Sequence, residues 1–316
     1  EAMPVRLKQV HVINCPSFYE KMYSLVKAVL PAEVCELVLM ALLFYATGSY
    51  QRPIGVAKNL CQKSCSRFLE EVTQALIHPQ MMMKYIVFPQ TPLDRLAVSQ
   101  QFYNKYGFPG IIGCIDCSHI KIFKPPAVEE HLYFCRKNYH SMNVQMICDS
   151  NYRILNVNPK YGGSHHDSFI WENSVVNEYV QNLHQNNEMV WLLGDSGYAQ
   201  RPWLMTPFSN VAADSPEGFY NQKHIRARVT IENTFGRLKN RWRCLCKDRV
   251  LHYKPAKCAQ IIQACCILYN IALDFGVPEP DGGSDDEGAV DVDGAGAIGV
   301  GIEVCVFGEG KKLWLL

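Results

Sequence analysis

Several features that would quickly place a chain are missing or scarce here. A second cysteine pair is missing: Cys114 and Cys117 have zinc-ligand separation, but no partner pair follows at ligand spacing. A closed zinc site needs four ligands, so these two read as structural cysteines. Paired loop spacing is absent from the fourteen cysteines, and Cys114, Cys148, Cys265 and Cys266 sit inside apolar runs. That pattern argues against a disulfide framework and for a reducing compartment. The apolar run VCELVLMALLFYA at 34–46 stops short of the roughly 20 residues of a membrane span and contains Glu36. It reads as a core helix, and no membrane partner is expected. The first residue is Glu1 rather than Met, so the chain reads as a fragment, and a missing leader carries no weight. Net charge is almost absent, at +1.

That near-neutrality conceals an asymmetry. From Gly276 onward the chain carries nine acidic residues against two lysines, whereas the rest carries 29 Lys+Arg against 21 Asp+Glu. A basic body is the sign expected of a protein that meets a polyanion. At 48% hydrophobic and 19% charged, that body has the composition of a globular protein with a sizeable core.

Three regions follow from the pattern along the chain. Residues 1–100 read as a helical domain, its apolar residues recurring at helical spacing and broken by Pro31, Gly48 and Pro53. Within it QRPIGVAKNLCQKSCSRFLEEVTQAL (51–76) resembles a helix-turn-helix, with Lys63 and Arg67 where a recognition helix meets DNA. A helical bundle that only packs fits the same pattern equally well. Residues 101–275 change to short β-branched runs, GIIGCIDCSHIKIF, MNVQMICD and RILNVNPKY, the last two joined by a hairpin-type turn at Asp149. A glycine turn and amphipathic helix follow, with Asp167 or Ser168 as its cap, then the strand MVWLLGDSGY, a long helix at 222–243 and another at 255–274. This predicts an α/β domain with a mixed sheet flanked by helices. Residues 276–316, rich in Gly and Asp, read as a disordered tail.

Two carboxylates stand out. Asp116 and Asp195 lie in or at the end of apolar strands, where an unpaired ionised carboxylate costs several kcal/mol. Neither strand offers a cation on the same face within a few positions, since Lys121 alternates away from Asp116. A divalent cation, which favours oxygen ligands, is the remaining common answer. Glu232 is a third candidate: on a helical wheel it lies at the margin of a buried stripe of Ile231, Phe235, Leu238 and Trp242. Arg228, Lys239 and Arg243 fall within about 40 degrees of it and are placed to hold a phosphate backbone, while Arg226, Arg237 and Arg241 cover the far side. The competing reading of Glu232 is a surface ladder with Arg228 at i, i+4.

GCIDCSHIKI, GGSHHDS, WLLGDSGY and VTIENTFGRLKNRWRCL, in this order, resemble the DDE endonuclease domain of PIF/Harbinger transposases and the host nucleases derived from them; the likeness extends over about 36–274. The resemblance implies an RNase H-like core, an N-terminal helix-turn-helix region and Mg2+ or Mn2+ chemistry on DNA. It carries over Asp116, Asp195 and Glu232 as the catalytic triad and Asp167 as a further metal ligand, although helix capping explains Asp167 nearly as well. It also implies a Myb/SANT-like companion protein and a nuclear, and also cytoplasmic, location. His119 alternates to the face opposite Asp116, and His165 and His166 fit a role in orienting a ligand. The expected activity is metal-dependent DNA cleavage; the rival is a DNA-binding adaptor that kept the fold and lost the chemistry.

Overall fold

The run Ile111–Lys121 forms the longest strand, β1, and the site is built around it. The computed structural model describes residues 10–12, 32–48, 51, 61–280, 304–308 and 311–313. Strand β2, Ser141–Cys148, is buried along its whole length, as a strand covered on both faces must be. Strand β3 is Ile154–Gly162, and the turn between them is fixed by Asp149, whose Oδ1 accepts the N–H groups of Asn151 at 2.8 Å and Arg153 at 2.9 Å. Asp149 is therefore a turn former, the aspartate side chain taking the place of a backbone acceptor. Two short strands complete the sheet, β4 at Trp191–Leu193 and β5 at Leu204–Met205.

The order is β3-β2-β1-β4-β5. β1, β2 and β3 are antiparallel neighbours, while β4 runs parallel to β1 and β5 parallel to β4. This mixed five-stranded sheet flanked by helices is the RNase H-like α/β fold.

Helices cover both faces. One face carries α1 (Ala32–Thr47), α2 (Gln62–Leu76), α3 (Pro79–Tyr85), α4 (Pro92–Tyr106), and two long helices introduced below. Between β1 and β2 lies a short helix, α5 (Glu130–Tyr133). The other face is covered by α6 (Asp167–Glu172) and α7 (Val175–Gln185), where Trp171, Val176 and Val180 pack on Ile115, Ile147 and Leu192. Helix α8, Pro216–Arg241, starts at a Ser215 cap whose Oγ accepts Gly218 N–H at 3.0 Å, with Pro216 in the first turn. Its buried side holds Ile231, Phe235, Leu238 and, just past its end, Trp242, the stripe expected from the wheel.

Helix α9, Pro255–Asp274, is long and apolar enough to cross a membrane by composition alone. In the fold it is a core helix. Its Asn270 staples it to the sheet, donating to Ile154 O and Tyr85 O at 2.7 Å each and accepting Ile154 N–H at 3.0 Å.

Packing crosses two of the boundaries read from the sequence. The helices of 32–106 are not walled off from the sheet: Tyr45, Leu69 and Phe102 share one continuous core with Cys114, Ile231 and Ile262. The acidic tail does not begin at Gly276 in packing terms. Arg241 donates to Val277 O and Pro278 O, Asn240 donates to Pro280 O, and Arg237 pairs with Glu279 at 2.8 Å, so 277–280 lie along α8. Three short strands, Val10–Val12, Val304–Gly308 and Lys311–Leu313, pair as a separate antiparallel sheet. The first half of the helix-turn-helix reading, 52–60, lies outside the described residues.

Candidate active site

Strand pairing brings the two strand aspartates together. Cys114 pairs with Leu193 across the parallel β1/β4 ladder, and Asp116 and Asp195 each follow two residues later. The register carries both acids toward the same part of the sheet, close enough for the charge of Asp195 to act on Asp116. Asp195 falls just after β4, where a turn begins: its Oδ1 accepts Gly197 N–H at 2.9 Å and its carbonyl accepts Tyr198 N–H at 3.3 Å.

Asp116 faces α8. Its Oδ1 accepts Cys117 N–H at 2.7 Å, and its Oδ2 lies 3.3 Å from Nη1 of Arg228. The other guanidinium nitrogen of Arg228 donates to Glu232, so one arginine bridges Asp116 and Glu232. The expectation that no cation shares the Asp116 face is thus corrected. Strand alternation registers only neighbours on the same strand, and this cation comes from a helix 112 residues away. The i, i+4 ladder between Arg228 and Glu232 is present as well, and Arg228 links Glu232 to Asp116. Burial pushes the Asp116 carboxyl up to about 7. The nearby charges of Asp195 and Asp167 push the same way, against the Cys117 N–H and Arg228.

Asp167 is the first residue of α6, and His166 occupies the cap position, so capping is not the work of the Asp167 side chain. Its Oδ1 instead accepts Asn143 Nδ2 at 2.8 Å, while the same amide donates to His165 O at 2.9 Å. The two glycines of GGSHHDS explain how the turn reaches this position. A Cβ on Gly162 would come within 2.1 Å of Leu132 O, and one on Gly163 within 2.1 Å of Ser141 Oγ and 2.9 Å of Tyr133 O. Only glycine lets the β3–α6 turn lie this close to the β1–β2 connection.

On the opposite face of β1 from Asp116, half-buried Cys117 lies against buried Tyr198, its thiol 3.4 Å from the phenol oxygen. Burial raises both groups well above their ordinary values, so both stay neutral. Cys114 points the other way and donates to Ala227 O at 3.3 Å, so the two cysteines of the CxxC spacing do not face one another. His119 is hydrogen bonded, its Nδ1 lying 2.9 Å from Ser141 Oγ. His165 stacks near Tyr161 and Phe169, and exposed His166 lies against Arg136.

The cations expected to hold DNA fare unevenly. Lys63 and Arg67 are exposed on α2, Arg67 pairing with Glu71 at 3.6 Å. Arg228 is spent on the acids and its side chain is only 20% exposed. Lys239 is buried, which corrects its placement on a DNA-facing surface: the face beyond the stripe is covered by other segments rather than water. Arg243 lies past the end of α8 in a single 3-10 turn, so the helical-wheel placement does not apply to it. Arg241 is buried too, under 277–278.

Asn143 and Gln145 were missed from the sequence, although MNVQMICD carries the signal: two polar residues alternating in a wholly buried strand. Gln145 pairs across the ladder with Cys117, and both polar atoms of its amide are buried without a hydrogen-bond partner among the described residues. Orphaned amide atoms on the strand whose Asn143 holds Asp167 suit a hydrated cation. In donor type and charge the site therefore fits Mg2+ or Mn2+: hard oxygen ligands, one of them a carboxyl whose pKa is raised by burial and further by neighbouring acids, and an arginine already serving as counter-charge. Among the described residues, however, no group of three or more His, Cys, Asp or Glu is drawn together tightly enough to clasp an ion.

An RNase H-like sheet with Asp116 within its first strand, Asp195 just past its fourth and Glu232 on the following long helix has the architecture of a nuclease-type DDE domain. Comparison with known proteins agrees: the family model described as DDE superfamily endonuclease matches residues 115–270. The chain is 37% identical over 242 residues to "Putative nuclease HARBI1" of Bos taurus and equally to that of Homo sapiens, covering 76% of this chain and 67% of each relative. It is 27% identical over 264 residues to "Protein ALP1-like" of Arabidopsis thaliana, covering 78% of this chain and 62% of that one. No solved structure matches. The chain belongs to the Harbinger transposase-derived nuclease family of DDE superfamily endonucleases.

Proposed function

We propose that this protein cleaves DNA phosphodiester bonds in a divalent-metal-dependent reaction at Asp116, Asp195 and Glu232, with Asp167 as a further ligand. The observation that supports it most is the pairing of β1 with β4, whose register carries Asp116, within β1, and Asp195, just past β4, close enough for their charges to act on one another. Mg2+ or Mn2+ held by these carboxylates supplies Lewis acidity, making the attacking water more acidic and countering charge on the leaving 3′ oxygen.

The chain's own groups prepare that site. Cys117 N–H and Arg228 orient Asp116 and keep part of its charge balanced. The Gly197 N–H orients Asp195, and Asn143 orients Asp167. Neutral Cys117 and Tyr198 line the opposite face of β1. A DNA substrate places the work in the nucleus, and a Myb/SANT-like companion is proposed as the source of target-sequence choice.

One observation favours a second reading. Arg228 bridges Asp116 and Glu232, as expected of a fold retained for binding alone. Plasmid nicking with Mg2+ or Mn2+ separates the two. The nuclease reading predicts nicking by wild type and none by Asp116→Ala or Glu232→Ala; a wild type that retains plasmid without nicking it favours the adaptor.

A further inference from the structure

A polyanion bound over a cluster of acids needs cations at its border, and the α8 cations nearest Glu232 on the wheel do not supply them, with Arg228 engaged and Lys239 buried. The β1–β2 connection does. Its residues Cys135–Asn138 make a tight turn: Asn138 N–H donates to Cys135 O at 3.0 Å, Cys135 N–H donates to Tyr139 O at 2.9 Å, and Asn138 takes φ 61. Buried Cys135 anchors the turn, and exposed Arg136 and Lys137 project from it. The turn is held against the site because Leu132 O accepts both the N–H and the Oγ of Ser164 in the GGSHHDS segment.

Arg136 reaches the ring of His166 at 2.7 Å, and the next residue is Asp167. Lys121, from the far end of the Asp116 strand, lies 5.0 Å above the Tyr139 ring and extends the same rim. Among the described residues none of Lys121, Arg136 and Lys137 is ion-paired with a carboxylate, whereas Lys124 beside them pairs with Glu130 at 2.9 Å. Arg136 and Lys137 are thus exposed positive charges on a hydrogen-bonded turn tied to the segment that carries Asp167, and among the described residues neither pairs with a carboxylate.

We propose that Arg136 and Lys137, with Lys121, form a binding rim for the DNA backbone, each cation taking a phosphate of the strand that flanks the cut. The assignment rests on the nuclease reading for the identity of the polyanion. Its residues lie outside the acid cluster.

Fluorescence anisotropy of a labelled duplex with the full chain in EDTA, across a salt series, tests it. Each lost phosphate contact flattens the log K against log salt slope by about 0.9, so Arg136→Ala/Lys137→Ala flattens it by about 2 and weakens binding about 10- to 100-fold at low salt. The swap Arg136→Lys/Lys137→Arg keeps the charge and retains the wild-type slope. An alanine variant with wild-type affinity and slope overturns the rim, as does a wild type that binds no DNA. Nicking by the same preparations keeps the two readings apart. A wild type that binds with the predicted slope but never nicks overturns the nuclease reading and leaves the rim standing; a wild type that nicks while the alanine variant keeps the full slope overturns the rim alone.

Discussion

Asp116→Asn is expected to stabilise the metal-free protein at neutral pH, although it removes a residue assigned to catalysis. In the folded chain burial holds the Asp116 proton to about pH 7, with Asp195 and Asp167 adding to the effect. An unfolded aspartate releases it near pH 4. Between those values the folded state binds more protons, so this residue makes stability fall as pH rises. The penalty is absent below about pH 4 and complete above about pH 7. Three pH units at 1.36 kcal/mol each set a ceiling of about 4 kcal/mol, and asparagine, an imperfect copy of the neutral acid, should recover about 2 kcal/mol. Urea unfolding of both proteins in EDTA from pH 4 to pH 8 measures the difference. It should start near zero and grow in favour of Asp116→Asn. A difference that stays flat, or that grows in favour of wild type, refutes the claim that Asp116 is a strained acid awaiting a counter-charge.

Asn143→Ala removes the amide that donates to Asp167 Oδ1, and should raise the Mn2+ concentration for half-maximal nicking by about 10-fold while costing about 1 kcal/mol in urea unfolding. Gly162→Ala places a methyl group 2.1 Å from a backbone carbonyl that cannot step aside, and should destabilise by about 1–3 kcal/mol or more, read as a lowered denaturation midpoint. Lys239→Ala should lower thermal stability, by about 1–2 kcal/mol, and leave the salt dependence of DNA affinity unchanged, because the ammonium is buried.

The sheet was legible because its signals are local. β-branched runs and the Asp149 turn chemistry marked β1, β2 and β3, and the i, i+3, i+4 spacing of Ile231, Phe235 and Leu238 oriented α8 correctly. The expectation of compensation at Asp116 was sound as well, since an acid 16% exposed on a core strand does require one. What failed depended on residues distant in sequence. Arg228 arrives from another element, and Lys239 and Arg241 lose their water to segments that a helical wheel does not contain. The role of Asn143 was written in its strand as a polar residue among buried ones, but its partner Asp167 became identifiable only once the β3–α6 turn was folded back. Gly162 and Gly163 likewise look like any flexible pair until Leu132 O and Ser141 Oγ are seen against them.

Binding of Mn2+ to the DNA-free protein, followed by the loss of the free-ion EPR signal, tests the central claim most directly. Wild type should take up one or two ions per chain, and Asp116→Asn/Asp195→Asn should leave the signal of free Mn2+ undiminished. Wild type that binds no Mn2+, or a double variant that binds as wild type does, contradicts the account.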